Sequence, residues 1–237
     1  MPRKKKTIRH SEEENGQGEW LRDLILGGQD GLVNVLGLVL GVATATSDSR
    51  IVIVAGLAAM FAEGISMGAV AYTSSKATRE YYARERKREQ QEIVDFPHVE
   101  REEVRKIYYG KGFRGENLEM VVSTLTANKE RWLEVMMEEE LKLEKPVETP
   151  IQSAIIVTIA ALIGAVFPII PYFFMPVSQA NQVTVPFSLI VLFIAGAAKG
   201  RFTKVAWWRS GLELSLIGIG AAMIGFIIGS WLSIPLA

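Results

Sequence analysis

The sequence predicts an all-α integral membrane protein with five transmembrane helices and a small helical cytoplasmic domain inserted between helices 2 and 3. Three observations predict it. Long apolar runs flank a central block dense in Glu, Lys and Arg. The Lys and Arg residues outside the apolar runs fall on one side of a five-span arrangement. The acidic residues of the central block recur at helical offsets rather than at strand alternation.

A bilayer core takes about 20 mostly apolar residues per helix. Residues 1–23 are too polar for that and read as a cytoplasmic tail. Arg3, Lys4, Lys5, Lys6 and Arg9 are not followed by the apolar core of a cleaved leader. Trp20, Leu21, Leu24 and Ile25 form an amphipathic lead-in at the interface. Residues 24–78 hold helix 1, Leu24–Thr46, and helix 2, Ile51–Ser75. Residues 149–237 hold helix 3, Ile151–Met175, helix 4, Val183–Ala198 extended to Arg201, and helix 5, Gly211–Ala237. Pro168 and Pro171 are expected to kink helix 3 or end it early.

Orientation follows the cationic residues of the short links. The tail, the start of the central block (Arg79, Arg84, Arg86, Lys87, Arg88) and the link between helices 4 and 5 (Lys199, Arg201, Lys204, Arg209) are basic. The opposite links contain Arg50 alone. The N-terminus and the central block therefore face the cytoplasm, and the C-terminus faces out. Trp207, Trp208 and Trp231 read as interfacial anchors at the ends of helix 5. Gly37/Gly41, Gly64/Gly68 and Gly225/Gly229 are four apart and allow close helix packing, within one chain or between two.

Residues 79–148 carry 17 acidic and 14 basic side chains. Helix 2 has no breaker before Pro97 and is expected to run on to Asp95. Three more helices are predicted over Glu100–Tyr109, Glu116–Thr126 and Lys129–Lys145. No basic patch with interleaved aromatics is present, which argues against nucleic acid. The absence of cysteine removes thiolate metal sites and iron–sulfur clusters. No nucleophile–base pair, phosphate loop or histidine cluster supports an enzyme, and no cofactor is implied.

Two sets of residues carry chemistry. Glu85, Glu89 and Glu92 share a helix face, Glu100 and Glu103 are three apart, and Glu140 follows Met136 and Met137 by four and three. Converging carboxylates hold cations, and thioether sulfur favours softer transition metals. A solvated face laced with ion pairs is the alternative, with Met136 and Met137 as core filler. Inside the spans stand Asp30 and Glu63, with Met67 one turn beyond Glu63. An ionisable group there costs at least about 2.5 kcal/mol and marks a functional position. The structural alternative has Asp30 capping a broken helix start and Glu63 paired with Lys199. Glu213 reads as interfacial.

The run from Asp30-Gly31-Leu32-Val33-Asn34 to Leu40-Gly41-Val42 and the segment Glu63-Gly64-Ile65-Ser66-Met67-Gly68 resemble the vacuolar iron transporter family. So do Arg88–Ile93, Trp132–Leu141, Leu143–Pro146 and Phe167–Tyr172, in the same order. The resemblance implies a homodimer with the ion path between subunits and proton-coupled export of Fe²⁺. It implies that the cytoplasmic domain gathers metal through Glu89, Glu92, Glu100, Glu103, Met136, Met137 and Glu140. It places the transport path at Asp30 and Met67. The family's pore glutamate falls here on Ala59; either Glu63, one turn nearer Met67 on the same face, replaces it, or ion selectivity or proton coupling differs from the family's.

The partners expected are a divalent ion (Fe²⁺, or Mn²⁺, Co²⁺ or Zn²⁺), protons, the lipid bilayer and a second copy of the chain. Carboxylates in low dielectric hold protons, and a dication binds only their deprotonated form. A site of Asp30, Glu63 and Met67 would therefore exchange metal against protons. A membrane-anchored metal sensor or scaffold that moves nothing is the competing reading. The compact chain suits a prokaryotic plasma membrane, and a vacuolar membrane would host the same topology.

Overall fold

A computed structural model describes the backbone of residues 3–232 and the side chains from Gly18 to Leu232. Its elements, in order, are α1 (Arg3–Ala45), α2 (Ser49–Asp95), α3 (Pro97–Gly110), α4 (Gly115–Thr126) and α5 (Lys129–Val135). A π turn (Met136–Glu140) follows, then α6 (Pro150–Phe174), α7 (Val177–Phe202) and α8 (Trp207–Leu232). No strand occurs among the described residues. Five helices are long and apolar enough to cross a membrane: Gly18–Ala45 of α1, then α2, α6, α7 and α8. The last five residues of predicted helix 5 lie outside the described residues.

The chain divides into two compact units, Met1–Thr73 with Glu148–Ala237, and Ser74–Val147. The 47 residues of α2 contribute to both. At 1.5 Å per residue α2 is about 70 Å long, more than twice a bilayer core. Its apolar part, with Glu63 within it, ends before Lys76.

In the first unit, close packing follows the small residues. A Cβ on Gly31 would stand 2.2 Å from the Ala161 carbonyl oxygen, and one on Gly164 2.1 Å from that of Gly28. Only glycine lets α1 and α6 meet backbone to backbone there. Likewise a Cβ on Gly225 would lie 2.0 Å from the Gly37 oxygen, and one on Gly229 2.3 Å from that of Gly41. These two glycine pairs therefore serve contact between α1 and α8 of one chain. Gly64 and Gly68 lie against Leu162 and Thr158 of α6, also within the chain. Val35, Val39, Val52, Met60, Ile169 and Tyr172 form the main apolar cluster.

Gly225→Leu is expected to force α1 and α8 apart at a cost on the order of 3 kcal/mol. Gly220→Leu, at a position with nothing within 4 Å of a built Cβ, is expected to leave melting unchanged. Thermal melts of the two variants in detergent check this.

Several boundaries differ from expectation. Helix α6 runs through Pro168 and Pro171 to Phe174. Neighbouring helices compensate prolines in a span better than water-exposed helices can. Its start is set by a capping box: Thr149 Oγ1 accepts from Gln152 N at 3.3 Å, and Thr149 N donates to Gln152 Oε1 at 2.9 Å. Helix α7 begins at Val177, six residues before the predicted helix 4, and includes Pro186. The polar residues Ser178, Gln179, Asn181 and Gln182 hide that first turn from an apolarity reading. Two of the backbone bonds that open it run to the Pro176 carbonyl.

In the second unit α2 stops at Asp95 and Pro97 opens α3, where its missing N–H is not needed. Gly112 at φ +100° turns the chain after α3. Asn128 caps α5 by accepting from the Glu130 and Arg131 amides. The helix predicted over Lys129–Lys145 instead ends in the π turn at Glu140. Leu141 N donates to Met136 O at 3.1 Å, one residue wider than an α turn.

Candidate functional site

Helix α1 is unbroken through Gly27–Asp30–Gly31, so Asp30 caps no helix start. The flanking Gly27 and Gly31 serve the α6 contact instead. On α2, Glu63 accepts a hydrogen bond from Asn34 Nδ2 of α1. Asp30 is the other charged group acting on Glu63. Lys199 does not pair with Glu63; it lies 4.0 Å from Glu213. Met67 is half-buried one turn along α2. Ala59, one turn the other way, packs against the apolar cluster that contains Val35 and Val39. Two carboxylates from different helices thus share one polar spot within apolar spans.

One acidic residue escaped the sequence reading. Asp23 is 2% exposed, accepts a hydrogen bond from Ser153 Oγ, and lies 3.1 Å from Arg22. Nearby, Glu148 N donates to Glu19 Oε2 at 3.0 Å. The Glu148 carboxyl is raised by burial first, then by Asp23 and Glu19. The available signal was spacing: Asp23 and Asp30 are seven apart, two turns along one face. The tail expected over residues 1–23 includes it.

The second unit gathers its own carboxylates. Glu89 from α2, Glu100 from α3 and Glu140 from the π turn each offer an oxygen, and the three oxygens lie within 4.8 Å of one another. Glu89 and Glu100 are 2% and 5% exposed, whereas Glu140 stands on the exposed rim. Glu100 Oε2 is buried without a hydrogen-bond partner. Burial raises the Glu100 carboxyl to about 7, with Glu103, Glu89, Glu140 and Glu92 adding repulsion. Partial burial raises Glu140 to about 7, with further contributions from Glu103 and Glu89. Glu89 is raised by burial and held down by its contact with Arg88.

An orphaned buried acceptor facing two more carboxylates is a donor set that fits a cation. Glu92 and Glu103 act on the trio electrostatically from α2 and α3. Met136 and Met137 are 0% and 2% exposed, inside the apolar cluster with Ile93, Val104 and Trp132. The expected solvated face describes Glu138, which is exposed, but not Glu89 or Glu100.

The five apolar helices, with Asp30 and Glu63 inside two of them, define an integral α-helical membrane protein. The chain belongs to the VIT family, whose family model matches residues 21–230. It is 39% identical over 221 residues to "Vacuolar iron transporter 1" of Arabidopsis thaliana, covering 92% of this chain and 88% of that protein. It is 40% identical over 219 residues to "Vacuolar iron transporter 1" of Eucalyptus grandis, with coverage of 92% and 88%. It is 32% identical over 232 residues to "Vacuolar iron transporter" of Plasmodium falciparum, with coverage of 93% and 85%. These relatives are named as transporters, and the family is not enzymatic.

Proposed function

We propose that this protein is a proton-coupled antiporter that moves Fe²⁺, or the related Mn²⁺, Co²⁺ or Zn²⁺, out of the cytoplasm across a membrane. The observation that carries the reading is the meeting of Glu63 with Asn34 and Asp30 inside apolar spans. Carboxylates in such surroundings are retained for ion or proton traffic, because they are costly otherwise. The names of the relatives supply the class of cargo.

Asp30, Glu63 and Met67 form the path. A dication binding there takes the place of protons, and protons arriving from the far side release it. Two carboxylates neutralise a divalent ion, and the Met67 sulfur favours a transition metal over Mg²⁺ or Ca²⁺. The unit Ser74–Val147 is the cytoplasmic metal-binding domain. Glu89, Glu100 and Glu140 supply its inner ligands, with Glu92, Glu103, Met136 and Met137 completing the set. The protein works as a homodimer. The face of α1 that carries Asn34 opens on an apolar groove lined by Val33, Gly37 and Leu38 and by Ile224 and Ile228 of α8, a surface suited to a second copy.

The test is anaerobic Fe²⁺ flux into proteoliposomes with an acidic interior and internal pH recorded. Metal uptake accompanied by internal alkalinisation is expected. Vesicles that stay metal-tight, while the purified protein still binds the ion, would instead establish a sensor or scaffold.

A further inference from the structure

The buried carboxylate Glu85 and the guanidinium of Arg88 have no part in the scheme above, yet Arg88 touches its ligands and Glu85 holds Arg88. Arg88 Nη1 lies 2.7 Å from Glu85 Oε2, Nη2 lies 2.8 Å from Glu89 Oε1, and Nε lies 3.5 Å from Glu92 Oε2. One guanidinium therefore spans three carboxylates on successive turns of α2, two of which belong to the proposed ligand set. Glu85 and Glu89 have side chains 7% and 2% exposed, while that of Arg88 is 50% exposed. The carboxylates are fixed by burial and the cation has room to move. Glu85 has a second partner, Arg84, at 2.9 Å, so it keeps a cationic contact whatever Arg88 does.

We propose that Arg88 is a built-in cation that occupies Glu89 and Glu92 in the metal-free site and withdraws onto Glu85 when a divalent ion loads. This rests on the reading of the cluster as a metal site. The physical reason is competition. A carboxylate oxygen engaged by a charge-assisted guanidinium bond is not free to ligate, and a guanidinium left beside a bound dication repels it. The five-donor fork lets Arg88 keep its Glu85 contact while it surrenders the other two. The site thereby sets a threshold: only an ion that offers Glu89 and Glu92 more than the guanidinium does is admitted, which favours divalent over monovalent cations. It also weakens binding enough for the ion to leave again, as a transporter's collecting domain requires. Arg88 here is a selectivity-determining residue and Glu85 its resting place, and neither is a ligand.

A double-variant cycle on the full chain in detergent, titrated calorimetrically with Co²⁺, tests this. The heat belonging to the cluster is the part lost in Glu100→Gln. Arg88→Gln is expected to tighten that binding by about tenfold or more, the scale of one lost charge-assisted competitor. Arg88→Lys, which keeps the charge without the fork, is expected to tighten it less. Glu85→Gln is expected to weaken binding, because Arg88 then has only the two ligands to hold. In Arg88→Gln/Glu85→Gln that weakening is expected to vanish.

A Glu85→Gln effect that persists at full size in the Arg88→Gln background would show simple long-range charge and overturn the proposal. Binding that is unchanged or weaker in both Arg88 variants, with the cluster heat intact in the wild type, would also overturn it alone. If no heat is lost in Glu100→Gln, the metal-site reading itself fails.

Discussion

Proteoliposomes containing Glu63→Gln are expected to take up no more divalent metal than protein-free liposomes, while the variant folds as well as the wild type. Glutamine keeps the shape of the side chain and an oxygen that can still accept from Asn34 Nδ2. It loses the negative charge that would hold a dication and the proton that would be exchanged for it. Loss of flux with retained fold therefore isolates the chemistry from the packing. The melting temperature is expected to hold or rise, because an ionised acid in lipid surroundings costs at least about 2.5 kcal/mol. Asp30→Ala and Met67→Ala are expected to abolish uptake as well. Asn34→Ala, which removes only the partner, is expected to slow uptake without abolishing it. Metal uptake by Glu63→Gln at the wild-type rate would remove Glu63 from the path.

The existence of five long apolar helices, and the break at Pro97, were legible in the sequence because each rests on a local signal. Length of apolar run marks the spans, and proline marks a helix start. What escaped depends on contacts between distant residues. Gly27, Gly28 and Gly31, which flank Asp30, are the surface on which α6 packs through Ala161 and Gly164 rather than a broken helix start. Glycine disfavours an isolated helix, and the partner backbone that offsets this is invisible 130 residues away. The π turn at Met136–Glu140 is also a tertiary product. Its residues are good α formers, and nothing local announces the Leu141 to Met136 bond. That wider turn is the element that carries Glu140 into the trio with Glu89 and Glu100. The residue types of the candidate sites were readable from spacing, but their partners were not. Asn34 as the donor to Glu63, and Arg88 across three glutamates, are set by how the helices pack and the side chains turn, not by spacing.

Melting of the full chain in the presence and absence of Mn²⁺ is expected to show a dication effect that depends on pH. Glu100 and Glu140 are raised from 4.5 to about 7, in both cases mainly by burial. The folded protein therefore holds protons that the unfolded chain releases above about 4.5. Their contribution to stability is fully present below that pH and is lost as pH rises through about 7, where the folded carboxyls ionise beside Glu89. Without metal, the helical unit is expected to melt at lower temperature at pH 8 than at pH 5.

Mn²⁺ reverses the order by replacing protons with a cation. At a hundredfold excess over its dissociation constant it contributes about 2.7 kcal/mol, or about 5–10 °C for a chain of this size. At pH 5 protons occupy the same oxygens and the shift is expected to shrink towards zero. Glu100→Gln is expected to raise the metal-free melting temperature at pH 8, since a buried charge is removed, and to abolish the Mn²⁺ shift. Equal stabilisation by Mn²⁺ at both pH values would mean that the ion binds elsewhere, and the carboxylate trio would lose its role.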